Sequence, residues 1–141
     1  MALVRDVMTK SVETLRTYQS IREAAARMRD LDVGSIPIEE NNEIVGILTD
    51  RDITVRGVAE GKDPDATKVT EIMTVKPLTV YDDQKLEQAA EVMEKNRIRR
   101  VVVLDRKDRL VGILAQGDIA RHDGNQKLTA ELVEKVSQPA E

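Results

Sequence analysis

Apolar positions along the chain recur in a helical rhythm and then a strand rhythm, and the succession appears twice. Ile21, Ala24, Ala25, Met28 and Leu31 fall at helical spacing and form one apolar stripe. Ser20 and Glu23 stand at its start in capping-box order, a hydroxyl for the first turn and a carboxylate to reach back. Two short apolar runs follow, Ile36-Pro37-Ile38 and Ile44 to Leu48, separated by the polar stretch Glu39 to Glu43, which predicts a hairpin. A second helix is expected from about Arg51 to Glu60, stopped by Gly61. Further along, Leu86, Ala89, Ala90 and Met93 repeat the stripe, with Asp82 or Asp83 as the expected cap. Val101 to Leu104 and Leu110 to Leu114, around Asp105 to Arg109, repeat the hairpin. Gly117 to His122 repeats the second helix, with Gly124 as its stop.

The recurrence is a tandem duplication. A shift that carries Val4 onto Val69 lays Met8-Thr9 on Met73-Thr74, Gln19 on Gln84, Ala24-Ala25 on Ala89-Ala90 and Met28 on Met93. After one inserted residue, Val45-Gly46-Ile47-Leu48 falls on Val111-Gly112-Ile113-Leu114, and Asp52-Ile53 on Asp118-Ile119. Leu3, Val4, Val7 and Met8 read as a short leading helix. Leu128, Leu132, Val133 and Val136 read as a trailing one ended by Pro139. The expected organisation is a first repeat with its leading helix over 1–62, a linker over 63–68, a second repeat over 69–124 and an amphipathic tail over 125–141. Each repeat reads as strand, helix, hairpin, helix, a mixed α/β (α+β) unit. A half of about sixty residues is marginal alone, so the two are expected to pack as a pseudo-twofold pair. Ligands favour the clefts at such internal junctions.

Composition narrows the chemistry. The 141 residues include no Cys, Trp or Phe and only two Tyr, so the core is built from Val, Ile, Leu, Ala and Met. Without Cys there is no disulfide framework, thiol catalysis or thiolate-bound zinc. With 22 basic and 26 acidic residues the net charge is −4, a poor match to nucleic acid when stacking aromatics are also missing. No apolar run approaches the ~20 residues of a membrane span, and the first ten residues lack a signal-peptide core. A soluble, cytoplasmic protein is expected, with neither nucleic acid nor membrane as partner.

The sharpest chemical feature is Gly46-Ile47-Leu48-Thr49-Asp50-Arg51-Asp52, where a strand gives way to a helix. The start of a helix presents unpaired N–H groups and favours an anionic group such as phosphate. The Thr49 hydroxyl can donate to a phosphate oxygen, Asp52 can accept from ribose hydroxyls, and Arg51 can add a charge-assisted contact. The competing reading is plain capping, the commonest use of Thr and Asp at a helix start. In the second copy Asp118 recurs, but Ala115 replaces Thr49 and Gly117 replaces Arg51, so two sites would not bind equally.

These residues carry a family resemblance. Met8-Thr9, the capped helix with Ala24-Ala25, Gly34-Ser35-Ile36-Pro37-Ile38 and Val45-Gly46-Ile47-Leu48-Thr49-x-x-Asp52, in that order and repeated, resemble a CBS domain; the duplication resembles a CBS pair, or Bateman module. The resemblance covers roughly Val4 to Asp123. It implies a βαββα unit in each half and a cleft between them that holds adenosine compounds. By the same resemblance, Thr49 and Asp52 contact phosphate and ribose, and Asp118 is the second ribose acceptor. Backbone at Ser35 and Ile36, and at Arg100 and Val101, contacts adenine; Val12 to Thr14 and Lys76 to Thr79 line the clefts. Val102, where the first copy has Pro37, departs from the pattern.

Other features carry less. Arg97, Arg99 and Arg100 either reach a phosphate or sit on a solvated face. His122, the single histidine, reads as a surface residue at a helix end rather than a general base. Asp50 with Asp52 lacks the further ligands of a metal site, and Met8, Met28, Met73 and Met93 read as core filler. No phosphate-loop motif and no nucleophile–base set is present. The expected function is a non-enzymatic sensor of AMP, ADP or ATP, with S-adenosylmethionine or a dinucleotide also compatible, and with no catalytic residue, metal or required cofactor. A homodimer acting on an effector protein is expected. The alternative is a structural or protein-interaction module with a vestigial ligand site.

Overall fold

The computed structural model describes residues 2–75, 77–122 and 132–137. The positions Lys76, Gly124, Leu128 and Pro139 singled out above lie outside the described residues. The chain forms two compact units: Glu13–Pro77 is one, and Met1–Val12 with Leu78–Glu141 is the other. The division does not follow the order of the repeats. The segment that opens each repeat joins the unit built on the other repeat's hairpin.

In the unit over 13–77, β1 (Leu15–Arg16), α2 (Ile21–Leu31), β2 (Ser35–Glu40) and β3 (Glu43–Thr49) are followed by a short helix α3 (Asp50–Asp52). The helix continues as a π-helical stretch, Ile53–Val58, and β4 (Thr74–Val75) closes the sheet. Strand order is β1-β2-β3-β4, with β1 parallel to β2 and the rest antiparallel. The hairpin turns on Asn41 and Asn42, both at positive φ (52° and 66°), the conformation Asn tolerates and a two-residue hairpin demands. The predicted box at α2 is formed: Ser20 Oγ accepts from the Glu23 N–H at 3.1 Å, and Glu23 accepts from the Ser20 N–H at 3.4 Å. Ile21, Ala24 and Met28 turn inward with Leu15, Ile36, Ile38, Leu48, Val69 and Ile72.

The second helix differs from its expectation. It begins at Asp50 and widens at Ile53, where the Ala59 N–H bonds back to the Thr54 carbonyl at 2.9 Å. The wide turn lays Gly57 on α2, where a Cβ would meet Ile21 Cδ1 at 3.2 Å, so the segment packs closely there. Gly61, at φ 70°, ends it as predicted.

The other unit contains α1 (Val4–Val7), β5 (Thr79–Tyr81), α4 (Leu86–Asn96), β6 (Arg100–Leu104), β7 (Leu110–Ala115) and α5 (Gln116–His122), with sheet order β5-β6-β7. Residues 132–136 are also helical, and Leu132 and Val136 are buried with Val4, Val80, Met93, Val101, Val103, Leu114 and Ile119. The cap of α4 is neither Asp82 nor Asp83. Lys85 holds the cap position and its N–H donates to Gln88 Oε1 at 2.8 Å, so a glutamine completes only the half of the box that Glu23 completes in α2. Asp82 and Asp83 lie in the preceding turn, where Asp83 pairs with Arg106.

Both opening segments end in the same way. The Thr9 N–H and carbonyl bond to Ile113 at 2.8 and 3.0 Å, as β4 pairs with β3 at Ile47 and Thr74. Met8 and Met73 then lie over Gly112 and Gly46. A Cβ at Gly46 would stand 2.9 Å from the Thr74 carbonyl oxygen, and one at Gly112 would stand 2.7 Å from that of Thr9. The repeated Val-Gly-Ile-Leu is therefore a packing requirement: only glycine lets the added strand approach.

Candidate functional site

In the unit over 13–77 the sheet register sets Ser35 opposite Thr49 at the mouth of the hairpin, and the Asp50 N–H donates to the Gly34 carbonyl at 2.9 Å. Thr49 ends β3 and caps α3. Its hydroxyl accepts from the Asp52 N–H at 3.1 Å, while Asp52 Oδ2 accepts from the Thr49 N–H at 3.0 Å. The capping reading is thus realised, but it does not exhaust either group. The Thr49 hydroxyl keeps its hydrogen to donate, and Asp52 Oδ1 keeps lone pairs to accept. Asp52 is buried at 8% exposure, with Arg56 Nε 3.9 Å from Oδ1 as its cation. Arg56 also reaches the Ile72 and Met73 carbonyls at 3.4 Å, which ties this helix to the segment leading into β4.

Ser35 is buried and Ile36 is a core side chain, so at Ile36 only backbone is free to face a ligand. Arg51 is exposed. Thr14, half-buried beside β2, donates to Glu39 Oε2 at 3.0 Å. Gly46 lies deeper in β3 beneath Met73. The structure therefore gathers Ser35, Thr49 and Asp52 at one helix start and leaves Thr14 and Gly46 along the sheet. Val12 is a half-buried residue of the other unit.

The counterpart in the other unit is built differently on the same frame. Arg100 pairs in register with Ala115, the Gln116 N–H donates to the Arg99 carbonyl at 2.8 Å, and Val101 is buried. The Ala115 N–H donates to Asp118 Oδ2 at 2.9 Å, the half of the box that survives without a hydroxyl. Asp118, 7% exposed, also pairs with Arg121, and the Thr9 hydroxyl lies 3.4 Å from its Oδ1. Neither contact with Asp118 is predicted by the sequence. Thr9 carries a signal there, since Met-Thr is part of the repeat; Arg121 shows only its spacing from Asp118. Beside this helix start lies an open recess of about 290 Å³, lined by Arg99, Arg100, Ala115, Gln116, Gly117 and Ala120.

Two sheets with βαββ order, each leading to a Gly-x-x-x-x-x-Asp helix start, define a duplicated ligand-binding scaffold. The chain belongs to the CBS domain family, which matches residues 4–56 and 69–125. It is similar to the CBS domain-containing protein YhcV of Bacillus subtilis, 36% identical over 137 residues, 97% of this chain and 96% of the relative. Among solved structures it is similar to the CBS domain pair of protein MJ0100 in complex with 5′-methylthioadenosine and S-adenosyl-L-methionine, at TM-score 0.79 and 33% identity over 89% of this chain and 98% of that one. It is also similar to CBSX2 in complex with AMP, at TM-score 0.71 and 27% identity over 86% and 96%. A hexameric CBS-CP12 protein from bloom-forming cyanobacteria matches at TM-score 0.78 and 28% identity over 84% and 66%.

Among the described residues no group of three or more His, Asp or Glu side chains is placed to hold a metal ion, and no helix is long and apolar enough to cross a membrane.

Proposed function

We propose that this chain is a non-enzymatic regulatory module of the cytoplasm that binds an adenosine compound. In the first repeat, Asp52 receives the ribose hydroxyls, Thr49 and Arg51 meet the phosphate, and backbone at Ser35 and Ile36 meets adenine. In the second, Asp118 takes the ribose and backbone at Arg100 and Val101 the base. The observation that carries this reading is the Thr49–Asp52 pair: both side chains retain hydrogen-bonding capacity beyond the cap they form, and Asp52 is buried. The ligands held by the similar structures support it, because AMP, methylthioadenosine and S-adenosylmethionine share adenine on a ribose with free 2′ and 3′ hydroxyls.

A melting series with AMP, ADP, ATP, S-adenosylmethionine and no ligand, run on the chain and on Asp52→Ala, tests this. A ligand at a hundred times its dissociation constant stabilises by about 2.7 kcal/mol. The expected result is a ligand-specific rise in Tm that the variant loses or sharply reduces. An equal rise in the variant would sink the residue assignment. A flat series in both proteins would favour the second reading, a protein-interaction module.

That second reading has its own observation. Val55 and Val58, on the helix that follows Thr49, are 45% and 66% exposed. We place a homodimer contact there, the apolar pair being covered by a second copy. A dimeric mass by light scattering, reduced to monomer by Val55→Lys with Val58→Lys, is expected. A dimer indifferent to both changes would place the contact elsewhere.

A further inference from the structure

Asp52 and Asp118 are almost equally buried, at 8% and 7% exposure, but they are not equally free. A carboxylate has roughly four acceptor positions, and the hydroxyl pair of a ribose takes two of them. Among the described residues, Asp52 uses one on the Thr49 N–H, and its nearest cation, Arg56 Nε, stands 3.9 Å from Oδ1, beyond hydrogen-bond distance. Room for a diol remains. Asp118 uses one on the Ala115 N–H, one on the Arg121 guanidinium and one on the Thr9 hydroxyl, 3.4 Å from Oδ1. A diol therefore fits Asp118 only when a partner leaves.

The three partners differ in how readily they can leave. The Ala115 N–H is backbone at the end of β7, and Thr9 is fixed by its own N–H and carbonyl on Ile113, at 2.8 and 3.0 Å. Arg121 reaches Asp118 through a long side chain that is 74% exposed. Such an exposed ion pair is weak and screened by salt. Its geometry depends on Gly117: a Cβ there would stand 3.3 Å from Arg121 Nη1, so the bare backbone lets the guanidinium fold back onto the carboxylate. The first repeat has no equivalent, because Arg51 stands where Gly117 does and Val55 where Arg121 does.

We propose that Arg121 is a latch on the second repeat: it occupies Asp118 Oδ1 in the ligand-free chain and must swing away before a ribose binds. It thereby sets a difference in affinity between the two repeats. This inference rests on the adenosine reading above and adds the residue that regulates one of its two aspartates. The latch opposes every adenosine compound, with or without phosphate, whereas an arginine that served as a phosphate contact would favour the phosphorylated ones.

Adenosine is the probe that separates these roles, since it carries no phosphate for an arginine to hold. Calorimetric titration of adenosine into Asp52→Ala, and into the same chain carrying R121Q, reads the second repeat alone. R121Q is expected to tighten adenosine binding about fivefold with an unchanged ligand-free melting temperature. Added salt is expected to tighten binding to Asp52→Ala, by screening the latch, and to leave the chain with R121Q unmoved. Adenosine affinity unchanged or weakened by R121Q, or an equal response of both proteins to salt, would overturn the latch and leave the adenosine reading standing. Absence of adenosine binding to every variant and to the chain with Asp52 intact would overturn both.

Discussion

The start of α3 and the start of α5 hold the same aspartate in the same buried position, yet they are stabilised by different means. At α3 the cap is reciprocal, with Thr49 and Asp52 each bonding the other's backbone N–H. At α5 the hydroxyl is gone, and Asp118 is held by the Ala115 N–H, Arg121 and the Thr9 hydroxyl instead. A buried carboxylate needs its bonds from somewhere, and when one partner is lost in a duplicated fold the neighbourhood supplies others. The price is versatility: Asp118 has less unspent capacity to offer a ligand than Asp52.

Core substitutions separate the two units most strongly. Met93, fully buried, and Met28, 7% exposed, occupy matching helix positions. Met93→Ala is expected to cost about 2–5 kcal/mol and Met28→Ala to fall at the lower end of that range, read by urea denaturation. Equal costs would mean that the two helices pack alike. Next in size, Gly46→Ala and Gly112→Ala each bring a methyl against a backbone carbonyl and are expected to cost about 1–3 kcal/mol. If either is neutral in the same assay, the opening segment does not lie on that hairpin.

The caps themselves give smaller effects of opposite sign. Thr49→Ala is expected to cost about 1 kcal/mol, and Ala115→Thr to recover a few tenths by completing the second box. A neutral Thr49→Ala would show that the hydroxyl is not committed to the cap.

The smallest effect is one of pH. The Gln19 side-chain amide and the Ser20 N–H hold the Glu23 carboxyl below its ordinary range. A depressed folded pKa contributes stability above the ordinary carboxylate range and loses it as pH falls through the folded value. Gln88, the matching residue at α4, does not titrate. Acid should therefore speed amide exchange in the first turn of α2 more than in that of α4. Parallel acid limbs would contradict the role of Glu23.

Much of this architecture was legible in the sequence because it is local. The α2 box needs only Ser20 and Glu23, and both hairpins announce themselves by alternating apolar runs around polar turns. What was not legible depends on distant partners. An apolar stripe on Val4 and Val7 says that the segment is buried, not that its core is Val80 and Leu114 of the second repeat. Spacing predicts a regular helix after Arg51, whereas the stretch Ile53–Val58 is π-helical and brings Gly57 close to Ile21, a partner from another element. Asp82 and Asp83 looked like caps because acidic residues favour helix starts, but the backbone bond from the Asp82 N–H to Leu104 keeps them in the turn. The Thr49–Asp52 cap could be read from spacing alone; the Arg121 and Thr9 contacts of Asp118 required the fold.

The central claim is that Asp52 serves a ligand as well as a helix. Replacing it with Asn keeps an oxygen for the Thr49 N–H but removes the charge and half the acceptor capacity facing outward. Calorimetric titration of AMP into the chain and into Asp52→Asn, at a temperature where both are folded, separates the two duties. The account predicts near-native stability with AMP affinity reduced by about tenfold or more. Unchanged affinity would leave Asp52 as a cap alone and contradict the claim.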